Sequence, residues 1–284
     1  MQGDRRFCYC VALPRNGHLV DICLACSVTG QSARMYTAPS SPHDSTTAIP
    51  PLLERRRFAT QAELQAVVWW QLLEPAHRLR VAQDMMVGQV LAGELVCRTG
   101  RAPTFWFGLL EGLLKMSNDG SQGQTITFSG LVPGGWFGEG TLLKREPYRY
   151  NVQALRNSVV AVLPIDTFHW LLDHSIAFNR YIMNQLNERL GQFIAAREVE
   201  RLDSPNVRVA RSLAALFNPI LFPVDGDKML RITQQELAYL VGLSRQRVNE
   251  ALRVLSLHGA IRVGYGGLLV SDLELLRRGT FETA

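Results

Sequence analysis

Residues 232–262 read ITQQELAYLVGLSRQRVNEALRVLSLHGAIR, and their spacing predicts a helix, a tight turn and a second helix. Thr233 is placed to cap the first helix, and Glu236 three residues on completes a capping box. Leu237, Ala238 and Leu240 then recur at helical spacing. Gly242, in Val241-Gly242-Leu243, supplies a turn residue that tolerates positive φ. Ser244 is a second N-cap. Behind it Val248, Ala251, Leu252 and Leu255 form one apolar stripe, and Arg245, Gln246, Asn249 and Arg253 fall on the opposite face. Ala238 is small where two helices must cross closely. An ordinary helical hairpin with a solvated basic face has no need of the turn glycine, the small residue before it and the polar helix start together. The layout is that of a helix-turn-helix whose second helix is free to enter a major groove.

The residues that follow extend this reading. Ile261-Arg262-Val263 and Leu268-Leu269-Val270 are short β-rich runs around Gly264-Tyr265-Gly266-Gly267, the pattern of a hairpin or "wing". Between Ser244 and Arg262 stand four arginines and one acid, Glu250. The net charge of the whole chain is only +5, so attraction to phosphate rests on that local patch rather than on bulk composition.

A length of 284 residues predicts two domains, and an apolar fraction of 47% is enough for real cores. No stretch is long and apolar enough to span a bilayer. The N-terminal Arg5-Arg6 and the short apolar run after them end at Pro14, Arg15 and Asn16, too early for a signal peptide, so a cytoplasmic location is the expectation. Five cysteines, an odd number, speak against a full disulfide framework. Cys8, Cys10, Cys23 and Cys26 form C-x-C and C-x-x-C pairs, a spacing from which thiolates can reach one metal. A polar segment containing Pro and Gly separates the pairs, and the next residues lack core-forming character. The reading is therefore against a metal site. Cys97, in a strand-like run, is read as a small core residue.

Taken in order, residues 1–55 are expected to be a disordered extension, because Thr37 to Pro51 is rich in Ser, Thr and Pro. A capping box at Thr60 and Glu63 opens a helical pattern that Pro75 interrupts, with a second piece from about Ala76 to Met86. Trp69-Trp70 is read as packing. From Gly88 the period changes. The runs Gln89–Arg98, Thr104–Met116, Gln124–Val132, Tyr150–Leu155 and Val159–Pro164 predict a compact antiparallel roll. No Ser/His/Asp or paired-carboxylate grouping stands out, so an enzyme is not expected.

Within the roll, WFGEGTLLKREPYRY at 136–150 is the second informative stretch. Gly138-Glu139-Gly140 would let backbone approach a ligand, and a helix starting at Thr141 would offer free N–H groups to an anion. Arg149 is a candidate for a charge-assisted bond to phosphate and Glu139 for a bond to a sugar hydroxyl. A turn with charged neighbours is the plainer reading of the same residues.

A long helix is expected from about Asp166 or Ser175 to Leu202. Met183, Leu186, Leu190 and Phe193 alternate spacings of three and four, and Arg197 falls at the next position, which makes a heptad seam. Either a dimer or the chain's own core would cover it. Asp203-Ser204-Pro205-Asn206 breaks the helix, and Val207–Phe217 is a further helix.

This order of parts (β-roll, glycine–glutamate cassette, long helix, hinge, winged helix) resembles the Crp/Fnr family of bacterial transcription regulators. The resemblance covers about residues 60–280. It rests most on TQQELAYLVGLSRQRVNEALRVL and GGWFGEGTLL. It implies an α+β chain with four parts: the extension 1–55, a cyclic-nucleotide-binding-like sensor at 56–170, a dimerisation helix and hinge at 171–203, and a winged helix-turn-helix at 204–284. It further implies a homodimer on a pseudo-palindromic double-stranded operator, with RNA polymerase a candidate partner and no membrane. Arg245, Gln246 and Glu250 would face base edges, with Asn249 beside them, and Arg247, Arg253 and the wing would hold phosphates. Thr233 and Ser244 belong to the same surface as helix caps.

The sensor departs from the cAMP-binding pattern. Gly138, Glu139, Gly140 and Arg149 match by counting forward, but Tyr150 stands where a small hydroxyl residue belongs. Counting back from Val152 instead puts Tyr148 at the arginine's place. Either cAMP or cGMP is a candidate effector, and neither is required by the sequence. The N-terminal cysteines do not match the clustered spacing of the family's oxygen sensors. The competing function is a cyclic-nucleotide-binding module acting on another protein, which would have no need of a basic helix start or a wing.

Overall fold

The computed structural model describes residues 10–15, 18–23, 52–119, 125–200, 204–223, 229–264 and 267–281. The chain divides at Ala48–Ile49. In the N-terminal unit, within the segment expected to lack structure, β1 (Cys10–Arg15) pairs antiparallel with β2 (His18–Cys23), Cys10 opposite Cys23. Cys8 and Cys26 lie outside the described residues.

The second unit opens with β3 (Arg56–Phe58) and α1 (Gln61–Gln65). Thr60 and Glu63 make both bonds of the capping box. A 3₁₀ turn, Val68–Leu72, carries Trp69 and Trp70 inward, and Pro75 stands at the first position of α2 (Pro75–Asp84), where its missing N–H costs nothing.

The roll is built from β4 (Met86–Val90), β5 (Leu95–Cys97), β6 (Phe105–Glu111), β7 (Leu114–Asp119), β8 (Thr125–Leu131), β9 (Trp136–Phe137), β10 (Asn151–Ala154) and β11 (Ser158–Pro164), with α3 (Glu139–Lys144) between β9 and β10. Two of the expected runs each split into two strands, and β9 was not anticipated. The strands form two sheets, in the orders β5-β10-β7-β8 and β3-β4-β11-β6-β9. Beneath the second sheet Trp69, Trp106, Trp136, Phe168 and Phe178 form a buried aromatic cluster; Trp106 and Trp136 centroids are 4.3 Å apart.

Of the two starts expected for the long helix, the structure takes the one at Ser175, and the Asp166 end is a separate helix. α4 (Ile165–His174) ends at Ser175, whose extended backbone (φ −124°, ψ 101°) breaks the helix. The Ser175 hydroxyl then accepts from Phe178 N, 3.3 Å, at the start of α5 (Ile176–Glu200). α5 carries two stripes. The inner one, Phe178, Ile182, Gln185, Arg189 and Gln192, faces this chain's own core, the sensor cassette and residues 215–220. The outer one holds Ile176, Met183, Leu190, Phe193 and Ile194, all exposed. Leu186 sits at the border, packed against the aromatic core.

The reading head comprises α6 (Pro205–Ala215), β12 (Met229–Leu230), α7 (Gln234–Val241), α8 (Arg245–Leu257), β13 (Ile261–Gly264), β14 (Gly267–Val270) and α9 (Leu273–Arg278). The wing has a third strand, β12, paired with β14. The head is packed on the roll rather than suspended from it. α7 lies along β8, where a Cβ on Gly130 would come within 2.8 Å of Leu240 and 2.9 Å of Leu216. One apolar core runs from Phe107, Leu131 and Val132 through Leu221 and Phe222 to Leu237, Val248 and Leu252. Polar bonds tie the same junction: Gln185 Nε2 donates to the Ile220 carbonyl (2.5 Å) and Gln192 Nε2 to that of Ala215 (3.1 Å).

Candidate functional site

The helix-turn-helix forms from its own local signals. Glu236 N donates to Thr233 Oγ1 (3.1 Å) and Thr233 N to Glu236 Oε2 (2.7 Å), closing the capping box of α7. Gly242 ends α7 with φ +64°, and its N–H reaches the Ala238 carbonyl. Ser244 Oγ accepts from Arg247 N (3.3 Å) to start α8. Val248, Ala251, Leu252 and Leu255 are buried. That fixes the rotation of α8 and leaves Arg245, Gln246, Arg247, Glu250 and Arg253 in solvent. Gln246 Nε2 donates to Glu250 Oε1 (3.1 Å), one turn along the helix. Asn249 is half-buried and accepts from Gln234 Nε2 (3.1 Å), which ties the two helices together rather than leaving it open like its neighbours. Among the described residues, no carboxylate pairs with Arg245, Arg247 or Arg253. Arg245 and Arg253 on the face away from the core, with Arg247 on its flank, are guanidinium groups suited to phosphate oxygens and guanine edges. The wing tip, 265–266, lies outside the described residues.

The sensor cassette is assembled differently from the expectation. Gly138 caps α3 in the left-handed region (φ +97°), and a Cβ added at Gly140 would lie 3.8 Å from Leu186 of α5. Glu139, 2% exposed, does not meet Arg149. Its Oε1 accepts instead from Arg189 Nε at 2.5 Å, and Arg189 also donates to the Trp136 carbonyl. Arg149 points into solvent, its side chain 80% exposed, and pairs with Glu146 at 3.0 Å. The cause is register. Tyr148 N donates to the Arg101 carbonyl (2.9 Å) and Gly100 N to the Tyr148 carbonyl (2.8 Å), which holds the chain here with residue 148 buried and residue 149 exposed. Tyr148 is buried, and Tyr150 packs beside it with ring centroids 5.8 Å apart. Burial pushes the hydroxyls of Tyr148, Tyr150 and Tyr181 well above the usual tyrosine range, with the Glu139 charge adding to the effect. Burial likewise raises the Cys97 thiol to about 12, as its place in the core requires.

Arg189 is the functional-site residue that the sequence reading missed. The signal was a charged residue in the inner stripe of α5, seven residues after Ile182 and four after Gln185. A cavity of about 360 Å³ lies on its other side, between β8, α5 and α6, and not at Glu139. Among the described residues no cluster of His, Cys, Asp and Glu could hold a metal ion, and no helix is long and apolar enough to cross a membrane.

Comparison with known proteins agrees with this geometry. Residues 88–175 match the cyclic nucleotide-binding domain family and residues 207–278 the Crp-like helix-turn-helix domain family. The chain is 30% identical over 174 residues to the transcriptional regulator SdrP of Thermus thermophilus, covering 60% of this chain and 81% of that protein. It is 27% identical over 162 residues to the cyclic AMP receptor protein of the same organism, covering 57% of this chain and 73% of the relative. The structure of FixK2 from Bradyrhizobium japonicum shares the fold, with a TM-score of 0.58 at 14% identity over 70% of this chain and 98% of that one. With its nucleotide-binding-type roll, its long helix α5 and its helix-turn-helix, the chain belongs to the Crp/Fnr family of DNA-binding transcriptional regulators, which are not enzymes.

Proposed function

We propose that two copies of this chain pair along the outer stripe of α5 and bind a pseudo-palindromic operator. The observation that carries the pairing is the exposure of Ile176 (74%), Met183 (57%), Leu190 (59%) and Ile194 (58%) on one helix, three of them at strict heptad spacing. A second copy of the same stripe would bury all of them, with Phe193 beside them, in a two-fold interface. The two α8 helices would then enter successive major grooves, roughly 34 Å apart. Arg245, Gln246 and Glu250 would read bases, and Arg247 and Arg253 would hold phosphates. RNA polymerase is the expected protein partner, and the cytoplasm, where a bacterial genome is read, the expected compartment.

The sensor supports operator binding by the unliganded protein. The carboxylate that a ribose hydroxyl would need is already satisfied by Arg189, and the arginine a cyclic phosphate would need faces solvent. A relative is named a cyclic AMP receptor protein, so cAMP and cGMP are the ligands to test. Calorimetric titration should give no saturable heat with either, and affinity for a selected operator should not change on adding them. Saturable binding that is lost in Glu139→Ala and sharpens operator binding would overturn this reading.

A further inference from the structure

A single side chain from the roll holds the start of the helix-turn-helix. Arg156 stands in the turn between β10 and β11. Its Nη2 donates to Glu236 Oε2 at 3.0 Å and to the Arg231 carbonyl at 2.5 Å. Its Nε lies 2.9 Å from Glu236 Oε1, close enough for ionic attraction though poorly aligned for a hydrogen bond. The Glu236 side chain is 11% exposed and that of Arg156 32%. The same Glu236 oxygen closes the capping box on Thr233 N, so one carboxylate serves both the helix cap and the roll.

The turn that presents Arg156 is itself braced. The buried Ser158 hydroxyl donates to the Arg156 carbonyl (2.8 Å) and accepts from Leu113 N (3.3 Å). Gly112 packs directly against it, where an added Cβ would lie 2.1 Å from Ser158 Oγ. Asn157 Oδ1 accepts from Ala92 N (3.0 Å). On the far side Gln234, next to Thr233, bonds to Asn249 within α8. A chain of direct contacts thus runs from the sheet through Arg156 and Glu236 to the helix that faces the groove.

From this geometry we infer that Arg156 is a positioning residue: through Glu236 it sets the angle at which each reading head is held on its roll. The inference rests on the DNA-binding reading above and adds to it the part that fixes half-site spacing. A head held at one angle matches one spacing between half-sites. Without Arg156 the start of α7 is held on the roll by apolar packing alone, which is less directional, and the protein discriminates less between spacings.

The experiment uses the full chain. An operator is first selected from a random-sequence duplex library with the wild type, and duplexes with the central spacer one base pair longer or shorter are then compared. Arg156→Met removes the charge and keeps most of the side-chain bulk. Glu236→Gln removes the carboxylate charge but can still close the capping box. Arg156→Met, which leaves the capping box untouched, is expected to keep wild-type affinity for a single half-site. Both variants should lower the preference for the selected spacer by about fivefold or more, the lower end of typical coupling between sites. Arg156→Lys should recover part of the preference, and the double variant should lose no more than either single one. A merely structural role would lower affinity for all three duplexes alike. Unchanged spacer preference in both Arg156→Met and Glu236→Gln would overturn the inference. A wild type that enriches no sequence would overturn the DNA-binding reading and the inference with it.

Discussion

Arg189 and Glu139 form a buried ion pair that fastens α5 to the sensor cassette, with Nε 2.5 Å from Oε1 and side chains 14% and 3% exposed. The second carboxylate oxygen, Oε2, is buried and has no hydrogen-bond partner among the described residues. Removing the arginine would leave the whole charge stranded in the protein. Arg189→Met should therefore cost about 3–5 kcal/mol of stability, while combining it with Glu139→Gln should cost less than the two single changes summed. Urea unfolding of the three variants measures this; an Arg189→Met protein as stable as the wild type would sink it.

The open face of α8 separates two kinds of contact. Arg245→Ala is expected to cost about 1–3 kcal/mol at one base pair and to relax the choice of base there. Arg253→Ala should weaken binding to every sequence alike and reduce the slope of log affinity against log salt by about 1. Fluorescence anisotropy over a salt series, on operator and random duplexes, distinguishes the two. Equal losses on both duplexes for Arg245→Ala would count against its reading a base.

The outer stripe of α5 predicts a seam that tolerates no charge at its centre. Leu190→Glu places two carboxylates against each other across a two-fold axis and should weaken self-association at least about tenfold, the effect of roughly 1.4 kcal/mol. Sedimentation velocity over a dilution series gives the answer. A change at Leu186, which this chain's own core half covers, should act mainly on stability instead.

Glu63 carries a pH dependence whose sign is fixed by its surroundings. The hydrogen bond from Arg57, helped by those from Thr60, holds its carboxyl down to about 2. Because this lies below the ordinary carboxylate value of the unfolded chain, the stabilisation is complete above about pH 5 and lost as pH falls toward 2. The pair is at the surface, so the effect is small. Glu63→Gln keeps a capping-box residue. Its melting temperature should fall short of the wild type's at neutral pH and converge with it toward pH 2; a gap that widens on acidification contradicts the assignment.

The helix-turn-helix was legible because each of its decisive contacts is local. Thr233 and Glu236, Gly242 and Ala238, and Ser244 and Arg247 are all within four residues of one another. The roll was legible as strands but not as a register. That Tyr148 faces in and Arg149 out depends on pairing with Gly100 and Arg101, nearly 50 residues away, and counting along the chain from either side could not settle it. Arg189 and Arg156 escaped for the same reason: their partners stand 50 and 80 residues off. The start at Ser175 was one of two that the sequence allowed, and the serine three residues before Phe178 is the local cap that decides for it over Asp166.

The packing of Gly130 against Leu216 and Leu240 has a consequence for how such a protein can be rebuilt. A head whose apolar residues belong to the same core as the roll is not a cartridge. Grafting α6 to α9 onto another roll would carry Leu216 and Leu240 into a place shaped for different neighbours, and any side chain at position 130 would collide with them. Two halves that look separable in the order of the chain share one apolar core, and a hybrid that ignores the glycine on β8 would break the contact that joins them.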